Sequence, residues 1–310
     1  MLVIDHLRKE YKTLIAVNDL SFSLEPGDIF GFIGPNGAGK TTTIRMLATL
    51  LTPTAGTAFV DGIDVVRFPE EVRSIIGYMP DFFGVYDDVK VWEYLDFFAA
   101  AYKVPRTQRG QIIDDVLELT DLTVKKDSYV EELSRGMKQR LCLAKTLVHD
   151  PKLLLLDEPA SGLDPRARVE LKELLKELRN MGKTILVSSH ILPELADFCN
   201  KIGIIERGNQ LLFGGVDDIL GQINGGRGLE IRLANGDDVS KAEDTLHAIP
   251  GVSDVTKDGL ALHVTFDHAL TQQHEILAAL ITAHCRVESC AETKLDLEDL
   301  FMNVTEGAVQ

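Results

Sequence analysis

Ile29-Phe30-Gly31-Phe32-Ile33-Gly34-Pro35-Asn36-Gly37-Ala38-Gly39-Lys40-Thr41-Thr42 is an apolar run that breaks into a glycine loop and then into a lysine and two threonines. The run Ile29–Ile33 has large and β-branched side chains and no polar member, as expected of a strand buried on both faces. The loop at 34–41 matches G-x-x-x-x-G-K-[ST]. Glycines there let backbone N–H groups converge on phosphate oxygens. A helix opening at the loop's end adds its positive N-terminal pole. Lys40 is placed to neutralise β- and γ-phosphates, and Thr41 to hold Mg2+. A strand before and a helix after is the context that separates this motif from a chance glycine loop. Residues Gly34, Pro35, Asn36, Gly37, Ala38, Gly39, Lys40, Thr41 and Thr42 are therefore expected to bind a nucleoside triphosphate.

Upstream, Leu20-Ser21-Phe22-Ser23-Leu24 alternates like a strand and ends in the turn Glu25-Pro26-Gly27-Asp28. Downstream, Ile44, Leu47 and Leu51 have helical spacing over 42–51, and Pro53 stops it. From about 82 to 149 the periodicity is helical, with Ile112, Ile113, Val116, Leu117 and Leu119 on one face. Aromatic residues crowd the start of this region. Trp92, Phe97, Phe98 and Tyr102 read as core by their spacing. Phe82, Phe83 and Tyr86 read equally as core or as interface anchors.

Strand signals return at 152–157, where Lys152-Leu153-Leu154-Leu155-Leu156-Asp157 ends in an acid, and again at 184–190. A helix at 171–178 lies between them. Such alternation predicts a parallel sheet with helices on its faces. Asp157 then sits at the carboxyl end of a buried strand, where ligands bind in open α/β sheets. It can fix Mg2+, and Glu158 beside it can orient or deprotonate an attacking water. Paired acids at a strand end can also merely cap the next helix; the phosphate loop favours the chemical reading.

Glycines at 224–228 read as a linker. Beyond them the pattern is strand 229–233, helix 241–248, strands 252–256 and 260–266, helix 276–283 and strand 286–290. That is β-α-β-β-α-β, the ferredoxin-like order.

The 310 residues are enough for one large domain and a small one. The chain is 45% hydrophobic and 26% charged, ordinary for a globular protein with a core that needs no disulfides. Cys142, Cys199, Cys285 and Cys290 have no metal or redox spacing and read as free thiols. The net charge of −16 disfavours a phosphate-backbone surface, so no nucleic acid is expected as a partner. No apolar stretch approaches the roughly 20 residues of a membrane helix. The first residues lack the layout of a signal peptide. Any membrane role is expected to come through a partner.

Leu133-Ser134-Arg135-Gly136-Met137-Lys138-Gln139-Arg140 decides among phosphate-loop nucleotidases. It resembles the signature of the ATP-binding cassette (ABC) ATPases, usually Leu-Ser-Gly-Gly-Gln. The resemblance covers about residues 2–215. It implies a P-loop NTPase cassette with a mostly parallel sheet core, an antiparallel β part and a helical subdomain, followed by the small α+β domain. The expected boundaries are 1–223 for the cassette, with the helical subdomain at about 82–149, and 229–310 for the accessory domain. Several roles follow from the same resemblance. Tyr11 stands where an aromatic stacks on adenine. Asp81 stands where a sensor glutamine near Mg2+ is usual. Ala160-Ser161-Gly162-Leu163-Asp164 looks like the loop between two sites, and His190 like the switch histidine at the γ-phosphate. Ser134 and Gly136 would serve ATP on an opposite cassette, a second copy or a paralogue, in a head-to-tail dimer. Arg135, Met137 and Asp81 depart from the usual residues.

The overall layout resembles ATPase subunits of bacterial multicomponent exporters, and the stretch 295–301 looks like the close of their appended domain. The resemblance implies ATP hydrolysis driving a separate transmembrane permease from the cytoplasmic face of the inner or plasma membrane. Two other readings are a soluble cassette ATPase acting on nucleic acid or ribosomes, and a regulatory module that hydrolyses weakly.

Overall fold

A computed structural model describes residues 1–82, 84, 88–191, 195, 198–216, 218–219, 227–267 and 270–293. Phe83, Tyr86, residues 224–226 of the expected linker and the stretch 295–301 lie outside the described residues. Two compact units divide at Gly215 and Val216.

The first unit opens with β1 (Leu2–Tyr11), β2 (Leu14–Leu24), β3 (Ile29–Ile33), α1 (Lys40–Leu47), β4 (Ala55–Val60), β5 (Ile63–Asp64), α2 (Pro69–Ile75) and β6 (Ile76–Met79). Three helices follow, α3 (Val91–Ala101), α4 (Arg106–Leu119) and α5 (Arg135–Leu147). It continues with β7 (Leu153–Leu156), α6 (Pro165–Asn180), β8 (Thr184–Ser189), β9 (Lys201–Glu206) and β10 (Asn209–Gly215). All five residues of β3 are buried, so it needs a strand on each side and cover on each face. It lies inside a sheet of order β10-β9-β3-β8-β7-β6. Pairing is parallel from β9 through β6, and only the edge strand β10 is antiparallel. Phe30 packs beside Phe22 and Phe213, with ring centroids 4.8 and 5.6 Å away. A Cβ on Gly203 of β9 would come within 2.6 Å of the Phe30 ring, so the glycine makes room for it.

The antiparallel part is a second sheet, β2-β1-β4-β5. Strands β1 and β4 were not among the sequence expectations. The Cα register of β1 shifts at Leu7 and Lys9, which blurs its strict alternation.

Between Val91 and Leu147 the α-helices α3, α4 and α5 follow one another with no strand between them. The core reading fails for two aromatics of this stretch. Phe97 is 56% exposed and Tyr102 38%. Helix α3 buries one face through Val91, Tyr94, Leu95 and Ala99, which is too narrow for every aromatic of the run. Tyr102 instead stacks flat on His149, centroid to centroid 3.6 Å.

The second unit contains β11 (Arg227–Leu233), α7 (Val239–His247), β12 (Val252–Asp258), β13 (Ala261–Phe266), α8 (Gln273–Thr282) and β14 (Val287–Thr293). Its sheet is antiparallel throughout, in the order β12-β13-β11-β14. With two helices between the strands this is the ferredoxin-like arrangement. Leu229, Ile231, Leu262, Val264 and Phe266 pack with Leu246, Ile276 and Leu280 of the helices. Arg227 and Gly228, read from sequence as linker, already belong to β11. Gly228 pairs with Thr265 and Thr293.

Candidate functional site

Parallel register brings the chemistry to one sheet edge. Ile33 at the end of β3 faces Ser189 of β8, Val187 of β8 faces Leu156 of β7, and Leu156 faces Met79 of β6. The residues that follow these strands leave from the same edge: the glycine loop, His190, Asp157 with Glu158, and Asp81.

Close approach sets the loop's shape. A Cβ on Gly34 would sit 2.2 Å from the Ile205 carbonyl oxygen, and one on Gly39 would sit 2.4 Å from that of Ala16. Gly37 and Gly39 have φ of +81° and +111°, in the range that favours glycine. The Ala38 N–H donates to Pro35 O at 3.1 Å, and the Gly208 N–H to Ala38 O at 2.9 Å. Asn36 and Gly37 are exposed, Pro35 and Thr42 half-buried, and Ala38 buried. Gly39→Ala combines strain with a backbone clash and should destabilise the fold by about 3 kcal/mol. Gly37→Ala meets nothing within 4 Å and should cost only the left-handed conformation, about 1 kcal/mol. Urea unfolding midpoints of the two variants test the ranking.

Lys40 opens α1 and is only 5% exposed. Its Nζ donates to Gly34 O at 2.6 Å and to Pro35 O at 3.3 Å, and lies 3.4 Å from Glu158 Oε1. Burial pulls the ammonium below its ordinary pKa, and the charges of Glu158, Asp157 and Asp81 work against that fall.

Asp157 is 1% exposed. Its Oδ1 accepts from Thr41 Oγ1 at 3.1 Å and from Ser188 Oγ at 2.8 Å. Its Oδ2 is buried with no hydrogen-bond partner. Burial pushes this carboxyl above the usual range, the two hydroxyls pull it down, and the charges of Asp81 and Glu158 push it further up. Glu158 has φ +49°, and its Oε2 lies 2.8 Å from His190 Nδ1. Lys40, Thr41, Asp157, Glu158 and His190 thus form one bonded cluster, together with Ser188. Ser188 was read from sequence only as a strand residue. The signal was available: a hydroxyl two residues before His190, at the end of an apolar strand.

The remaining expected residues stand outside this bonded cluster. Asp81 is exposed, yet its charge acts on both Lys40 and Asp157. It lines a cleft with Phe82, Leu133, Arg135, Lys138 and Ser161. Phe82 is 89% exposed, so the core alternative fails for it. Tyr11 ends β1 opposite Leu14 and is 44% exposed, with Lys9 Nζ 5.1 Å from its ring centroid. The next strand touches the loop, through Ala16 against Gly39.

Ser134 is the N-cap of α5, its Oγ accepting from the Met137 N–H at 3.3 Å. Among the described residues, no hydrogen bond joins Ser134 or Gly136 to the loop at 34–42. The Arg135 guanidinium lies over Gly162, where a Cβ would come within 2.3 Å of Nη2. The departure at 135 is thus packed onto the loop at 160–164. Among the described residues no group of three or more His, Cys, Asp or Glu could hold a metal, and no helix is long and apolar enough to cross a membrane.

Residues 17–161 match the family model described as ABC transporter. The Nod factor export ATP-binding protein I of Cupriavidus metallidurans is 34% identical over 84% of this chain and 84% of its own. The linearmycin resistance ATP-binding protein LnrL of Bacillus subtilis is 30% identical over 98% of both chains. A solved structure of an ATP binding subunit of an ABC transporter superposes with a TM-score of 0.66 at 30% identity, covering 72% of this chain and 93% of that one. Loop, paired acids and signature occur here on the fold of those relatives, and the chain belongs to the ABC transporter family as one of its ATP-binding, ATP-hydrolysing subunits.

Proposed function

We propose that this chain powers an exporter, acting on a separate membrane-spanning permease at the cytoplasmic face of the membrane and hydrolysing ATP as a head-to-tail dimer. The observation that carries the dimer is a division among the phosphate-binding groups. Lys40, Thr41, Asp157, Glu158 and His190 are linked by bonds through Ser188, whereas Ser134 and Gly136 share none with the loop among the described residues. One chain then holds halves of two sites, and a two-fold partner, a second copy or a paralogous cassette, brings its signature to the loop. Gly136 adds support. A Cβ there would meet only Leu163, at an ordinary 3.6 Å, so internal packing does not demand glycine. An approaching phosphate does.

Within each site, residues 34–42 cradle the triphosphate and Lys40 neutralises it. Tyr11 offers its exposed ring to the adenine. Glu158 takes a proton from the attacking water, and His190 holds the Glu158 carboxylate and reaches the γ-phosphate. Thr41 and Asp157 suit Mg2+, because the partnerless Asp157 Oδ2 is a hard oxygen donor beside a hydroxyl. Magnesium, when bound, would draw charge from the triphosphate. Asp81 acts on that site through its charge.

The first compact unit is the cassette, with its helical subdomain at about 82–149, and the second unit, which includes β11 from Arg227, is an accessory domain. Export is the proposed direction because one relative is named for export and another for resistance. A tagged chain purified from detergent-solubilised membranes should retain an integral membrane protein in stoichiometric amount, and its ATPase rate should rise with that protein present. Retrieval of ribosomes or nucleic acid with no membrane protein would overturn the reading.

A further inference from the structure

We propose that Ser188 is a positioning residue for hydrolysis, fixing Asp157 and Glu158 together through one hydroxyl; the inference rests on the roles given above to those two acids.

Ser188 is the penultimate residue of β8 and is fully buried. The four residues before it, Thr184-Ile185-Leu186-Val187, build the buried sheet. A hydroxyl in such a strand needs partners, because an unpaired one loses its bonds to water without replacement. Ser188 has partners on both sides. Its O–H donates to Asp157 Oδ1 at 2.8 Å, and its oxygen accepts the Glu158 N–H at 3.0 Å. A serine hydroxyl has a single proton, so donation to Asp157 fixes the rotor. The lone pair that faces the Glu158 N–H is then fixed as well.

Two consequences follow. The first concerns Asp157. Thr41 and Ser188 both donate to Oδ1, so the carboxylate cannot turn without breaking both bonds. Oδ2 is the oxygen left over for a cation. The second concerns Glu158. Its φ of +49° is uncommon for a residue with a side chain, and the N–H bond to Ser188 helps to hold the main chain there. His190, two residues further on, holds the Glu158 carboxylate at 2.8 Å. One strand end therefore grips the main chain of Glu158, the side chain of Glu158 and the side chain of Asp157. A slip of the Ser188 hydroxyl would move a proton acceptor and a metal-side oxygen at once.

The test compares Ser188→Thr with Ser188→Val. Threonine and valine have nearly the same shape, so both crowd the buried site alike and differ chiefly in the hydroxyl. Steady-state ATPase assays should give the threonine variant a kcat within about threefold of wild type. The valine variant should lose about 10- to 100-fold in kcat, the usual loss when a supporting hydrogen bond behind a reacting group is removed. Its KM for ATP should stay within about threefold. Its Kd for a fluorescent ADP analogue, read without turnover, should also stay within threefold. Equal kcat for the two variants would overturn the proposal, as would a valine defect confined to KM or Kd. Glu158→Gln is assayed alongside. Turnover within threefold of wild type in that variant would sink the general-base reading itself. An inactive Glu158→Gln with equal threonine and valine variants would sink only the role of Ser188.

Discussion

Glu158→Gln should lower ATP turnover by about 100-fold or more while leaving nucleotide bound. Glutamine keeps the length and shape of the side chain and removes its capacity to take a proton. General-base catalysis contributes about 10²–10⁴-fold, which sets the scale of the loss. Binding should survive, because Lys40 has its own bonds to Gly34 O and Pro35 O and does not depend on Glu158 for its position. The substitution also removes a negative charge 3.4 Å from the Lys40 ammonium, which frees that ammonium for phosphate. ATP that binds and cannot be cleaved should hold two chains together across their shared sites. Size-exclusion chromatography with ATP should then show a dimer for Glu158→Gln and a monomer without nucleotide. Turnover within threefold of wild type would remove Glu158 from the role of base. An inactive but monomeric variant would leave the base in place and remove the dimer.

The parts legible in the sequence are those whose physics is local. The strand Ile29–Ile33 could be read because a run with no polar member cannot face water. The loop after it could be read because its glycine spacing and terminal lysine form a pattern contained in eight consecutive residues. The ferredoxin-like unit was legible as element order, since its helices and strands are short and regularly spaced. Other parts depend on distant neighbours. Strand β1 forms by pairing with β2 and β4, and its shifting register leaves no clean alternation to detect. Phe97 and Tyr102 have the spacing of core residues, but spacing does not reveal how wide a face the rest of the fold covers. Ser188 is the sharpest case. Its partners are about 30 positions away in the chain, and only the parallel pairing of β7 with β8 brings them together. The reading of 133–140 rests on resemblance, and the contact of Arg135 with Gly162 required the fold.

Lys40→Met should weaken ATP binding by about 100-fold, or about 2.7 kcal/mol, the scale of one buried charge-assisted contact to phosphate. Methionine keeps much of the stem's volume, so the pocket stays filled while the charge leaves. Two effects on the fold oppose each other. A buried ammonium disappears, which relieves a desolvation cost visible in its lowered pKa. Against that, Gly34 O loses its donor and Glu158 loses its cation. His190 still holds Glu158, so the net loss should be about 1–3 kcal/mol, less than for a fully stranded buried charge. The two readouts separate in the double variant Lys40→Met/Glu158→Gln. Removing the second charge should return part of the lost stability, because the pair interacts directly at 3.4 Å. It should return none of the ATP affinity, because phosphate needs the ammonium itself. Urea unfolding and fluorescent-nucleotide titration on the four proteins of this cycle measure both. Recovery of affinity along with stability would mean that Lys40 serves ATP only by shaping the loop. Lys40→Arg sharpens the same point, since a planar guanidinium is not a compact point charge and does not reproduce the Nζ bonds to the Gly34 and Pro35 carbonyls. Retained charge with lost binding there would show that the loop selects a compact cation.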